Sequence, residues 1–321
     1  MLDAKTVKKF ERQAEMLANR VQKRFRHLHK RFSRQQIEVF RLYDWDIPEI
    51  RAVVDWYAGH LVVGEYDRRQ SVAEWLPMMG AAVAEVLNVP NENLHLKVRR
   101  AGRHEGKRYE RIDTTDKKFV VSERDLKFLV NPWDFVDTGL FSDHRDTRQM
   151  VREMADGKDF LNLYCYTASF SCYAAKGGAK STVSVDRAET VVAWARENFA
   201  LNGIDSSNNA IIKAHTVDYL DRTKREGRRF DLAVVDPPSY STTQSRGETF
   251  DVLTDHVTLL EAVKAVMRPG AVIFFSTNHQ AFLPRLELLK ASAVDEITAQ
   301  TIPEDYVHKR KTIHRCWRIR V

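Results

Sequence analysis

The chain has 321 residues, 43% of them hydrophobic and 30% charged, with a formal net charge of +7. That is enough apolar material for a sizeable core in one large domain plus something smaller. No apolar run is long enough to span a bilayer and the N-terminus is too charged for a signal peptide, so a membrane role is excluded and a cytoplasmic protein is expected. Cys165, Cys172 and Cys316 lack metal-ligand spacing and read as buried free thiols.

The positive charge is concentrated. Residues 1–36 hold eleven Lys/Arg against three Asp/Glu, and the rest of the chain is close to neutral except for basic clusters at Lys97–Arg111 and His308–Arg320. Clustered charge is the footprint of a polyanion partner, because each lysine or arginine near a phosphate releases condensed counterions; a solvated helix face is the plainer alternative. Val7, Phe10, Ala14, Leu17, Val21, Leu28 and Phe32 recur at threes and fours, which predicts one long basic amphipathic helix over 1–36. His27 and His29, two residues apart, point in different directions on it and do not form a metal pair.

Residues 37–130 read as a small mixed α/β domain with antiparallel strands, a helix over 71–87, and a charged turn at Arg99–Arg111 suited to orienting RNA. Asn131-Pro132 breaks its last strand and opens a third region, 131–321. In VDTGLFSDHRDTRQMVREM, Asp143 is expected to cap the following helix, with Asp146 three residues on favouring its positive end.

The stretch DFLNLYCYTASFS (159–171) organises this third region. Phe160, Leu161 and Leu163 suggest a buried parallel strand, Thr167 and Ser169 a turn into a helix, and Gly177-Gly178 its stop. STVSV (181–185) is a second strand with Asp186 just past its end. In a doubly wound fold this unit places a nucleotide-like ligand at the strand ends, where the acid accepts both ribose hydroxyls. The turn has neither the glycines of a dinucleotide fingerprint nor the Gly-Lys-Ser/Thr of a triphosphate loop. An adenosine cofactor without phosphate is therefore expected, and that points to S-adenosylmethionine.

Its candidate contacts are Asn162, Tyr164, Cys165, Tyr166, Thr167, Ala168, Ser169, Phe170, Asp186, Arg187 and Ala188, with Asp218, Tyr219 and Asp236 further along the chain. Arg145 is expected near the methionine carboxylate or holding the acids in place. A helix over 188–203 and a third strand, AIIKAHTV, lead to Asp218 and Tyr219, with the Asp218 carboxylate at a strand end taking the adenine amino group. A fourth strand ends in Asp236-Pro237-Pro238, whose prolines force a rigid exposed loop carrying Tyr240. A helix over 251–267, a turn at Arg268-Pro269-Gly270 and a fifth strand, AVIFFST, bring Asn278 to the same edge. Asp236, Pro237, Pro238, Tyr240 and Asn278 are the candidate catalytic residues, and no metal is expected.

In this order, the segments YDWDIPE, EYD, DTGLFSDHR, DFLNLYCYTAS, SVDRAETVVAWARENFALNG, DPPSYS, FSTN and EDYVHKRKTIHRCW resemble class I S-adenosylmethionine-dependent methyltransferases. They most resemble the guanine-N7 methyltransferase half of the bifunctional bacterial 23S ribosomal RNA guanine methyltransferase. The resemblance implies a Rossmann-like doubly wound sheet of seven strands, the last antiparallel and within Ile313–Val321. It also implies methylation of 23S ribosomal RNA, free or in a pre-ribosomal particle, at guanine N7. Alternatives are another ribosomal base, as 5-methylcytosine or guanine-N2, or a non-catalytic RNA-binding assembly protein. A sister family that makes 5-methylcytosine needs a cysteine just after the fifth strand, where this chain has Thr277-Asn278.

Overall fold

The computed structural model describes residues 2–66, 71–99, 111–243, 248–308 and 311–321. Parts of the Lys97–Arg111 and His308–Arg320 clusters, and of the polar stretch after Tyr240, lie outside the described residues. The chain forms two compact units, one of residues 1–125 with 130–138, the other of 126–129 with 139–321.

The first unit begins with helix α1 (Ala4–Arg34), capped by Asp3, whose carboxylate accepts the Thr6 N–H at 2.8 Å. Strands β1 (Val39–Asp44), β2 (Ala52–Tyr57) and β3 (His60–Tyr66) form an antiparallel meander. Helix α2 (Trp75–Leu87) then carries the chain back, so that β4 (Leu94–Arg99) pairs with β3 in parallel rather than antiparallel as the sequence suggests. One face of this sheet shares a core with α1: Phe10, Leu17, Val21, Leu28 and Phe32 are buried together with Phe40, Val54, Leu61, Met79 and Val83. The basic helix is thus part of the first unit's core and not a segment of its own. β5 (Phe119–Glu123) and β6 (Leu126–Val130) form a hairpin; Leu126–Leu129 of β6 go with the second unit, Val130–Thr138 with the first, and the second resumes at Gly139, past Asn131-Pro132.

The second unit opens with helix α3 (Arg145–Met154), followed by β7 (Asp159–Leu163), α4 (Ser169–Lys176), β8 (Ser181–Asp186), α5 (Glu189–Leu201), β9 (Asn209–Lys213), α6 (Thr216–Arg225) and β10 (Phe230–Val235). A hairpin of β11 (Tyr240–Thr243) and β12 (Glu248–Asp251) precedes α7 (Val252–Lys264), β13 (Met267–Thr277), β14 (Ala293–Glu296), α8 (Thr298–Thr301) and β15 (Arg315–Arg320). The sheet order is β14-β15-β13-β10-β7-β8-β9, with β15 antiparallel to both neighbours. This is the seven-stranded sheet and antiparallel last strand that the resemblance implies. Alternation along β7 buries Phe160 on one face with Val151 and Phe170, and Leu161 and Leu163 on the other with Leu259 and Phe275.

Two local expectations are corrected. Arg268-Pro269-Gly270 is not a turn before β13 but lies within it, where the register jumps from Met267 opposite Phe230 to Val272 opposite Leu232. A proline and a glycine are tolerated in a strand at such an irregularity. The stretch after Tyr240 is not open loop on both sides: Tyr240 pairs with Asp251 and Ser241 with Phe250.

Candidate active site

Strand register places the site. Val235 lies opposite Leu163 and Phe275, Leu163 opposite Val185, and Asp186 opposite Lys213. The residues at and just beyond these positions, Tyr164, Asp186, His215, Asp236 and Asn278, therefore rim the carboxyl ends of the parallel strands, where open sheets bind ligands.

The turn from β7 to α4 is built on a strained backbone. Tyr164, Tyr166 and Ala168 have φ of 56°, 50° and 61°, left-handed values at alternate residues, and none is glycine. Such alternation turns backbone N–H groups toward a common side. The Tyr166 N–H donates to Asp186 Oδ2 at 3.1 Å and the Ala188 N–H to Asp186 Oδ1 at 3.1 Å. Asp186 is only 6% exposed, and this burial pushes its carboxyl pKa up despite those bonds. Thr167 Oγ1 donates to the Gly139 carbonyl at 2.7 Å while the Thr167 carbonyl accepts from Asn198 Nδ2 at 3.0 Å. Gly139 is required twice over: its φ is +108°, and a Cβ there would stand 2.3 Å from the Trp194 ring.

Beneath the turn, Asn162 Nδ2 and Ser184 Oγ both donate to Ser171 Oγ, at 2.9 and 2.7 Å, so Asn162 braces the turn from below. Burial pushes the Tyr164 phenol up to about 12 against an opposing hydrogen bond with Thr216, and pushes the Cys165 thiol well up. Ser169 begins α4, Phe170 is buried, and Arg187 is exposed beside Ala188.

Asp218 is not itself at the end of β9. β9 stops at Lys213, four residues before the sequence reading ends it, and Asp218 lies exposed in the first turn of α6, with Tyr219 buried behind it. The residue the strand end does present is His215, whose Nδ1 is buried without a hydrogen-bond partner. A shorter reading of AIIKAHTV, stopped where Ile212-Lys213 ends the β-branched run, would have found it.

Arg145 is buried and pairs with Asp305, so it takes the second expected role, holding an acid of the C-terminal segment. The N-cap position of α3 is His144, without a side-chain bond, and it is preceded by Asp143. Asp143 Oδ2 accepts from His314 Nδ1 at 3.0 Å, and His144 stacks on His314 with ring centroids 4.1 Å apart. His144 Nε2 stands 3.5 Å from Asp236 Oδ2 and 3.8 Å from Asp143 Oδ2. Asp143, His144 and His314 offer donor atoms within 4.8 Å of one another, the set among the described residues that could hold a metal ion. Burial above all, then the neighbouring His314, lowers the His144 pKa.

Asp236 is fixed through Oδ1, which accepts from Ser276 Oγ at 2.6 Å. Pro237 is buried and Pro238 half-buried, leading to Ser239, whose Oγ donates to Asn278 Oδ1 at 2.7 Å. Asn278 is exposed, and with Oδ1 so engaged its Nδ2 is the amide's donor; Tyr240 is half-exposed at the start of β11. The structure thus sets 164–170, 186, 236–240 and 278 at the carboxyl ends of these strands, with Asp218 in the first turn of the helix that follows β9.

A doubly wound sheet with an antiparallel seventh strand, an acid at the end of its second strand and an Asp-Pro-Pro loop at its fourth defines a nucleoside-cofactor transferase. Residues 48–300 match the family of S-adenosylmethionine-dependent methyltransferases, and the chain belongs to it. Among curated relatives it is homologous to the ribosomal RNA large subunit methyltransferase K of Neisseria meningitidis, 40% identical over 309 residues that cover 94% of this chain and 86% of that one. It is also 40% identical to the K/L methyltransferase of Psychromonas ingrahamii, covering 95% of this chain but 41% of that longer protein. The chain thus spans about two fifths of the length of that relative. A solved structure described as a methyltransferase complexed with SAH shares the fold at a TM-score of 0.78 and 21% identity, covering 96% of this chain and 82% of that one.

Proposed function

We propose that the protein transfers the methyl group of S-adenosylmethionine to N7 of a guanine in 23S ribosomal RNA, free or within an assembling particle, in the cytoplasm. The observation that carries the reading is the Ser239–Asn278 bond, which occupies Oδ1 and leaves the amide N–H groups of an exposed residue as donors beside the Asp-Pro-Pro loop. The Hoogsteen edge of guanine presents two acceptors, N7 and O6. With N7 as the target, O6 calls for a donor, and Asn278 Nδ2 is one.

The residues present fit the cofactor. The orphaned Nδ1 of His215 can accept from the adenine amino group, and the Asp186 oxygens retain lone pairs for two ribose hydroxyls. Tyr164–Phe170, Arg187 and Ala188 surround them. When bound, the cofactor supplies an electrophilic methyl group on a sulfonium.

Guanine N7 already carries an in-plane lone pair, so no general base is needed and positioning dominates. Pro237 and Pro238 hold the loop rigid, Tyr240 stacks on the unpaired or flipped guanine, and Asn278 donates to O6. The base becomes cationic as the N–CH3 bond forms, and the Asp236 carboxylate, oriented by Ser276, offsets that charge. Lys and Arg on the first unit hold the RNA. No thiolate is called upon: all three cysteines are buried.

The test is methyl transfer to large-subunit ribosomal RNA with the product mapped. Tyr240→Ala and Asn278→Ala are expected to lower kcat, by about tenfold or more for loss of one oriented contact, with little change in cofactor affinity. The product is 7-methylguanine, detectable by chain cleavage after mild reduction and aniline. Methylation of a cytosine or of an exocyclic amine would overturn the assignment.

A further inference from the structure

A second cleft in the same unit is unused by the proposed methyl transfer. Its volume is about 590 Å³, inside the roughly 300–1,000 Å³ range of small-molecule sites. Thr298, Ala299 and Ile302 line one side, and Tyr306, Lys311 and Thr312 belong to the other. Glu296 is the acid on its wall, and that charge is already matched. Arg315 donates to both Glu296 oxygens, at 3.0 and 2.8 Å, and this pairing holds the carboxyl below the usual range. The remaining lining has a lysine, a histidine, three hydroxyls and apolar contact, the mixture that receives a phosphate and a base together.

The cleft is tied to the base site. Gln280 Nε2 donates to the carbonyls of Asn278 at 3.1 Å and Thr312 at 3.0 Å, linking the O6 reader to the cleft wall. Ser142 shares a 2.6 Å hydrogen bond with Tyr306, and Asp143 and Arg145 hold His314 and Asp305. The turn that touches Asp236 through His144 therefore also fastens the segment that walls the cleft.

Building on the proposed reaction, we propose that this cleft binds a nucleotide flanking the target guanine, with Lys311 meeting its phosphate and Tyr306, Ile302 and Ala299 bounding its base. Occupation of the cleft fixes the register of the strand, so that one guanine, and not its neighbours, reaches Asn278. The basic tail is in this view a strand-positioning element of the active site.

The test uses the full chain and a fluorescently labelled large-subunit ribosomal RNA fragment, with binding read by anisotropy and so independently of which base is methylated. Lys311→Ala is expected to raise Kd roughly fivefold and to lower the slope of log K against log salt by about 0.7, the share of one phosphate on a single strand. Ala299→Trp, at an exposed position, fills the cleft and should weaken binding with the salt slope unchanged. Both variants should keep wild-type affinity for S-adenosylmethionine. Unchanged RNA affinity in both, or a loss confined to kcat, would overturn the proposal. A wild-type product other than 7-methylguanine would instead overturn the assignment to guanine N7, leaving the binding result to stand by itself.

Discussion

Asp186 carries two opposed demands. Its carboxylate is buried, which raises its pKa, yet backbone N–H groups favour the ionised form, as ribose hydroxyls would in the proposed site. For an acid whose folded pKa is raised, the contribution to stability without ligand is present below the unfolded value of 3.8 and is lost as pH rises through the folded one. Cofactor binding must then release a proton in that window, and affinity must fall as the pH drops through it. Calorimetry at pH values stepped upward from 3.8, in two buffers of different ionisation enthalpy, would show the proton release, and Asp186→Asn should abolish it. Asp186→Ala is expected to weaken S-adenosylmethionine by roughly 2–4 kcal/mol, the scale of lost hydrogen bonds to a charged group. An unaltered affinity would remove Asp186 from the site. The acid was legible in the sequence because it ends an apolar strand; His215 was not, because threonine and valine after it extend the β-like run past the true strand end.

At the scale of elements, α1 changes meaning between sequence and structure. Its charge pattern suggests a detachable RNA-tracking arm, but its apolar stripe is buried in the first unit's core, so truncating it would unfold that unit. Two experiments separate its roles. Leu17→Ala, at a fully buried position, should cost about 2–5 kcal/mol in chemical denaturation with no direct effect on RNA contacts. Replacing the exposed Lys23, Arg26 and Lys30 with Gln should leave stability within about 0.5 kcal/mol. That same triple variant should flatten the salt dependence of RNA binding; an unaltered slope would make α1 a scaffold only. The β7-α4-β8 unit was readable from local pattern alone, since an apolar run, small turn residues and a glycine pair are adjacent in sequence. The β3-α2-β4 crossover and the β11-β12 hairpin were less so, because pairing direction and register are settled by partners across the sheet.

At the scale of the whole molecule, the three thiols lie in different elements of the second unit, the β7-α4 turn, α4 and β15, and burial pushes each of them up. A chemistry that adds a thiolate to a pyrimidine has no nucleophile to use. A variant with all three changed to alanine should retain methyl transfer, and thiol reagents should leave the native enzyme active; inhibition by either would reopen the question of the target base. The contacts that bind the 142–145 turn to residues 305–314 join positions up to 171 apart in sequence, which is why Asp143 read as a helix cap. No local pattern could have disclosed His314 as its partner.

The left-handed residues of the β7-α4 turn bear on how fast the cofactor arrives. Each such conformation costs on the order of 1–3 kcal/mol and persists only when its surroundings hold it. Here the Cys165 N–H bond to the Val185 carbonyl at 3.0 Å, the Tyr166 bond to Asp186 and the Thr167 bond to Gly139 do so from within the fold. The turn is therefore shaped before any ligand meets it, and capture requires no slow rearrangement of its backbone. In stopped-flow fluorescence the observed rate should rise linearly with S-adenosylmethionine concentration, without a plateau. Ala168→Gly, which relaxes one of the three, should leave the fold intact and let the turn wander, so that a curved, saturating dependence replaces the line.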